Sequence, residues 1–273
     1  MRRSLVHVLV LLLAVTAGCS GLFDDAAGDA TVTPVDVPEF EPPLAPGVPA
    51  ATADADTRRL DTVRLRRADR RVRNTSSYRL QRTTVIEGAD GQVRIERDRR
   101  NRPDGAAIEQ FTASSTGLFS PGVVESEVWT DGSAFWTRTR FSDGSTVVSR
   151  RHPDPPSFHL LGTELPGRLL AAADYRVQRV TDDGVVLRST TPVRLSGPVI
   201  PVSFADRRNE TARVTVREDG LVVALVYRYE ATAGPDPVLV TVRQRVSAVN
   251  ETTVFQPAWV EANQSALRSE AGG

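Results

Sequence analysis

Six Asp-Gly pairs, at Asp90-Gly91, Asp104-Gly105, Asp131-Gly132, Asp143-Gly144, Asp183-Gly184 and Asp219-Gly220, punctuate the chain and mostly separate runs of alternating apolar and polar residues. Asp and Gly tolerate the positive φ that tight hairpin turns require, so each pair marks a place where a strand can reverse. The runs between them have a period of two. Tyr78, Leu80, Thr84 and Ile86 alternate with Arg79, Gln81, Thr83 and Glu87, and Ala212, Val214 and Val216 with Arg213, Thr215 and Arg217. Leu221, Val223, Leu225, Tyr227 and Tyr229 continue the pattern, followed by Val238, Val240 and Val242 set against Thr241, Arg243 and Arg245. That spacing puts one apolar and one wet face on each strand, as in an antiparallel sheet with a single covered side. The sequence therefore predicts a meander of antiparallel strands, and 273 residues are enough to bury a substantial core.

Two segments break the strand period. From Thr57 to Asn74 the chain reads as a helix dense in arginine (Arg58, Arg59, Arg64, Arg66, Arg67, Arg70, Arg71, Arg73), with Leu65, Ala68 and Val72 as a narrow apolar stripe. It ends at Asn74-Thr75-Ser76-Ser77, residues that favour caps and turns. Between Pro153 and Asp174 lies a dense aliphatic cluster, Phe158, Leu160, Leu161, Leu165, Leu169 and Leu170. One or two short helices are expected there, about Ser157 to Ala173, lying on the apolar face of the sheet.

The N-terminal part is of a different kind. Arg2 and Arg3 precede an apolar run from Leu5 to Val15, and the small residues Thr16-Ala17-Gly18 lead to Cys19, the single cysteine of the chain. An apolar run of 11 residues falls short of the roughly 20 needed to span a bilayer and fits the core of an export signal. Ala17-Gly18-Cys19-Ser20-Gly21 resembles the lipobox of bacterial and archaeal lipoproteins, which implies cleavage before Cys19 and a two-chain lipid on its thiol. Two chains meet the requirement for durable anchoring, whereas one holds only marginally. Arg2-Arg3-Ser4-Leu5-Val6 also resembles a minimal twin-arginine signal, so export by that route and by the general one both stay open. From Ser20 to Asp56 there are eight acidic residues, no basic one and six prolines, a composition that cannot offset its ordering entropy by burial. The expected organisation is residues 1–18 as signal peptide, 19–56 as lipidated cysteine and disordered linker, 57–260 as one β-rich domain, and 261–273 as a flexible tail. As a coil the linker would span roughly 35 Å.

The leading helix, the junction Asn74-Thr75-Ser76-Ser77-Tyr78-Arg79-Leu80, the hairpin Trp129-Thr130-Asp131-Gly132 with Phe135-Trp136, the helical insert and the strand Val226-Tyr227-Arg228-Tyr229-Glu230 occur in a familiar order. Together they resemble surface lipoproteins of halophilic archaea and, more distantly, the carrier fold of bacterial lipoprotein chaperones and mycobacterial glycolipid-binding lipoproteins. The resemblance spans about Asp56 to Val260. It implies an α+β fold in which a curved, half-barrel-like antiparallel sheet is covered on its apolar face by the leading helix and the insert. In those families the space between sheet and helices can hold an acyl chain, which makes Phe158, Leu160, Leu161, Leu165, Leu169 and Leu170 the candidate pocket. This chain departs from halophilic habit in one respect: beyond the acidic linker, 32 arginines face 26 acidic residues, and there is no lysine.

Signatures of catalysis are missing. The sequence has no Gly-x-Ser-x-Gly elbow, no phosphate-cradling glycine loop and no His-Glu-x-x-His. His152 and His159 stand seven apart around a proline-rich loop, a poor metal pair, and Glu125 and Glu127 read as the wet face of a strand. The chain is accordingly expected to be no enzyme and to use no cofactor or metal. The arginine helix would suit nucleic acid, but an exported protein meets little of it, and anionic lipid head groups fit the setting better. Asn74, Asn209, Asn250 and Asn263 head Asn-x-Ser/Thr sequons, open to glycosylation in an exported domain. Two functions remain from sequence: a module binding an apolar ligand, or a structural or protein-interaction lipoprotein of the envelope with a filled core.

Overall fold

The computed structural model describes residues 42–50, 60–117, 122–151, 164–195 and 204–271. The signal peptide, Cys19, Arg58, Arg59, His152, His159, Phe158, Leu160 and Leu161 lie outside them. The fold is α+β, dominated by one curved, unclosed antiparallel sheet of 11 strands. Helix α1 (Thr62–Thr75) comes first, followed by β1 (Tyr78–Gly88), β2 (Gly91–Asn101), β3 (Ala107–Thr116), β4 (Val123–Thr130), β5 (Phe135–Phe141) and β6 (Thr146–Arg151). Helix α2 (Leu165–Ala171) then leads to β7 (Tyr175–Thr181), β8 (Gly184–Ser189), β9 (Ala205–Val216), β10 (Val222–Ala233) and β11 (Asp236–Ser247), and helix α3 (Ala258–Ala271) closes the chain.

The strand order is β6-β5-β4-β3-β2-β1-β11-β10-β9-β8-β7. Two meanders thus meet where β1 pairs with β11, in register from Arg79 opposite Ser247 to Gly88 opposite Val238. All six Asp-Gly pairs fall at hairpin turns, joining β1 to β2, β2 to β3, β4 to β5, β5 to β6, β7 to β8 and β9 to β10. Gly184 shows why the second residue must be glycine. Its φ is +128°, and an added Cβ would sit 2.2 Å from the Val216 carbonyl oxygen on the neighbouring strand.

The inner face carries the main core. Ile86, Val93, Leu187, Val214, Val216, Tyr227, Val240 and Val242 are all fully buried there, joined by Leu65 of α1 and by Leu169 and Leu170 of α2. The sequence places Leu221, Val223 and Leu225 on one face, but a register shift between Val222 and Ala224 changes the parity. Val222 joins the main core with Leu225, while Leu221 joins a second cluster with Tyr78, Leu80 and Val246.

Two segments expected to be unstructured are ordered. Within the stretch read as linker, Ala45 and Val48 pair with each other and are 2% and 1% exposed, packed into the main core. The Gly47 carbonyl accepts the Asp61 N–H at 2.9 Å, so this turn is tied to the N-terminus of α1. The apolar residues Leu44, Ala45, Val48 and Ala50 outweigh the surrounding prolines here. At the other end, residues read as a tail from 261 onward continue α3. That helix packs on the outer face, where Val254 and Val260 close over Trp129 and Trp136, a directly opposed cross-strand pair.

Candidate functional site

The arginine helix begins at Asp61, whose carboxylate accepts the Arg64 N–H at 2.9 Å as an N-cap. Leu65 and Ala68 face the core as the sequence predicts, and Arg64, Arg67, Arg70 and Arg71 are exposed. Arg73 does not share that wet face. It lies buried with Asp69, Nε 3.0 Å from both carboxylate oxygens, and its Nη2 donates to the Val222 carbonyl at 2.9 Å. Asp69 in turn accepts the Val222 N–H at 2.9 Å, so one ion pair ties α1 to the start of β10.

Of the six candidate pocket residues, the described three, Leu165, Leu169 and Leu170, lie together in α2 at 1%, 0% and 0% exposure. Pro166 sits in the first turn, where its missing N–H costs nothing and its fixed φ suits the helix. The Tyr175 hydroxyl donates to the Leu169 carbonyl at 2.9 Å, and burial pushes that phenol well above its ordinary range. Helix α2 thus covers the inner face, contacting α1 beside it.

A polar band crosses this apolar interior. On β1 the inward series Tyr78, Leu80, Thr84 and Ile86 contains Arg82, which is 4% exposed. Opposite it stand Gln244 of β11 and Arg97 of β2. Arg99 and Asn101 follow on the same face of β2, and Glu109 of β3 lies opposite Arg99. Arg82 donates to the Gln244 amide oxygen through Nε at 3.1 Å. The Arg99 Nε donates to Asn101 Oδ1 at 2.8 Å. Arg97 and Arg99 approach Glu109 at 3.4 Å and 3.6 Å, and Arg97 also lies 5.4 Å from the centre of the Phe111 ring. Burial, and behind it the charge of Arg97, brings the Arg82 guanidinium down to about 9, so it stays protonated at neutral pH. Sequence reasoning missed this band. The available signal was parity: arginine at an inward position of β1, and Arg97, Arg99 and Asn101 continuing the inward series that Val93 and Ile95 begin.

A second polar contact lies on the inner face of β9 and β10. The Tyr227 hydroxyl donates to the Glu210 carboxylate, and burial followed by this bond raises the phenol above its usual range. Tyr229 lies beside it with ring centres 5.1 Å apart, and burial pushes its phenol up to about 12.

Of Glu125 and Glu127, both read as the wet face of a strand, only Glu127 departs from that expectation. Glu125 is half-buried as a residue, with its side chain 46% exposed, and pairs with Arg140 at 2.8 Å. Glu127 is buried under α3, pairing with Arg138 at 2.8 Å and accepting the Trp259 indole N–H at 2.7 Å. Among the sequons, Asn74, Asn209 and Asn250 are exposed. Asn263 is half-buried, and its amide donates to the Trp259 carbonyl at 2.7 Å. No helix of the described residues is long and apolar enough to cross a membrane, and no group of acidic, histidine or cysteine side chains among them is placed to hold a metal ion.

No protein-family model matches the chain, and no curated protein does. Solved structures that are similar to it in part include two from bacteria. LprF from Mycobacterium bovis is 13% identical, with a TM-score of 0.40 over 72% of this chain and 96% of its own. A DUF1329 family protein from Desulfovibrio piger is also 13% identical, with a TM-score of 0.25 over 72% of this chain and 93% of its own. These are distant likenesses of fold.

Proposed function

We propose that this chain is an extracytoplasmic lipoprotein, anchored through a lipid on Cys19, whose domain binds an apolar ligand between the sheet and its covering helices, without catalysis or cofactor. The observation that carries the binding reading is the inner face itself. The inner face of an open sheet of 11 strands is apolar on both sides of the polar band, and the described helices that cover it are only 14 and seven residues long. Ligand sites are typically concave, mostly apolar and furnished with a few placed polar groups, and the band around Arg82 supplies the last of these. The exposed arginines of α1 suit contact with anionic head groups near the surface to which the domain would be tethered.

Purifying the full chain without added lipid, then weighing it under native conditions and extracting it with organic solvent, tests the binding reading. About one apolar molecule per protein is expected. A mass equal to the bare chain, with nothing extractable, would favour the second reading, a structural or interaction lipoprotein. That reading draws on the complete burial of Leu165, Leu169 and Leu170, which a filled core would also produce. Anchoring is tested separately. Cys19→Ser is expected to leave the protein unprocessed or released from membranes on cell fractionation, and unchanged cleavage with unchanged retention would remove the lipid anchor from the proposal.

A further inference from the structure

The polar band on the inner face holds one buried donor that no described acceptor takes. Asn101 is 9% exposed, and with its Oδ1 taken by the Arg99 Nε, its buried Nδ2 has no hydrogen-bond partner among the described residues. The contact to Arg99 settles which end of the amide is which, since a guanidinium can only donate. The neighbouring Arg73 repeats the pattern. Its buried Nη1 has no hydrogen-bond partner among the described residues, and Tyr78, whose ring the guanidinium overlies, stands directly opposite Asn101 across the strands. Orphaned buried donors are rare in native proteins and each costs free energy until an acceptor arrives. Both orphans among the described residues are donors.

The charges point the same way. Arg82, Arg97 and Arg99 share that face, and Glu109 is the carboxylate of the described residues set among them. Glu109 lies 3.4 Å from Arg97 and 3.6 Å from Arg99, long for charge-assisted hydrogen bonds, which run about 2.7–2.9 Å. The Arg97 and Glu109 side chains are 22% and 18% exposed, so the band opens outward on this side, with Asn101 behind it. On either side are apolar residues: Tyr78, Leu80 and Val246 in one cluster, Ile86, Val93 and Ile95 in the other.

We propose that Asn101, Arg97 and Arg99 form a seat for an anionic oxygen group, a carboxylate or phosphate, at the polar end of an amphiphile whose apolar chain lies along the inner face. This deepens the binding reading above and rests on it. The seat selects acceptors with negative charge, and the apolar clusters on both sides select a chain long enough to leave the band.

Three probes and two variants test it in the full chain: palmitate, hexadecanol and inorganic phosphate, with Asn101→Asp and Arg97→Gln. Asn101→Asp is nearly isosteric, keeps the acceptor for Arg99 and replaces the orphan donor with a negative oxygen, so the fold should hold or gain while anions are repelled. Binding by titration should show palmitate held more tightly than hexadecanol by the wild type. Each variant should weaken palmitate by about tenfold or more, the worth of a charge-assisted hydrogen bond, while leaving hexadecanol within about twofold. Arg97→Gln, at a partly exposed position, decides the matter should Asn101→Asp unfold. Palmitate and hexadecanol bound equally, or palmitate unaffected by the variants, would overturn the seat and leave an apolar carrier standing. Binding of inorganic phosphate without palmitate would uphold the seat for a free anion and overturn the amphiphile. Binding of none of the three would overturn both.

Discussion

Replacing Asp69 by Ala is expected to destabilise the domain by about 3–5 kcal/mol, the usual loss when one partner of a buried ion pair is removed. Asp69 and Arg73 have side chains 6% and 5% exposed, and the carboxylate serves two donors at once. It holds the Arg73 Nε through both oxygens at 3.0 Å and accepts the Val222 N–H at 2.9 Å. Burial alone would lower the guanidinium's pKa, yet the Asp69 charge and hydrogen bond hold it above its ordinary value. Ala at 69 would therefore strand a buried cation and an unpaired backbone N–H together. It would also loosen α1 from β10, since the remaining bond from Arg73 to the Val222 carbonyl would have to hold a desolvated charge. Urea unfolding of the full chain measures the loss. Combining Asp69→Ala with Arg73→Met should recover much of it, because replacing both partners with apolar groups removes the desolvation penalty along with the bond. A single-variant loss below about 1 kcal/mol would show the pair behaving as a solvated surface bridge, and α1 not pinned by it.

That pair also shows where sequence stops being informative. A spacing of four residues on a helix lets Asp69 and Arg73 meet, but burial of the pair depends on Val222, 149 residues beyond Arg73, and on the register shift that turns β10 at that point. The hairpins were legible because Asp-Gly turns are local: all six pairs stand where strands reverse. The inward parity of β1 and β11 was equally plain. Residues 42–50 and α3 were not, since their order comes from docking a few apolar residues, Ala45 and Val48 in one case and Val260 in the other, onto surfaces assembled from distant strands. The polar band failed for a related reason. Arg82, Arg97 and Arg99 look like the other arginines of a chain that has no lysine, and only strand pairing brings the three together on the covered side.

Truncating Leu169 to Ala is expected to cost roughly 2–5 kcal/mol, through lost transfer energy and the void left behind. Leu169 is fully buried, and a seven-residue helix has little stability of its own, so packing against the sheet is what keeps α2 formed. The backbone contacts of Leu169, accepting the Tyr175 hydroxyl at 2.9 Å and the Ala172 N–H at 3.0 Å, survive the substitution. The measured loss should therefore report packing and not hydrogen bonding. Repeating the melts with palmitate separates the two readings of the interior. A ligand that binds the folded form alone raises its stability by an amount set by concentration over Kd, about 2.7 kcal/mol at a hundredfold excess over Kd. If the chain lies under α2, palmitate should raise Tm in both proteins, and more in Leu169→Ala, where its methylenes can enter the void. If the core is filled, the wild type should not respond, and a response confined to Leu169→Ala would mean an engineered cavity and no native site. Equal responses in the two proteins would place the apolar chain elsewhere on the inner face, away from the leucines of α2.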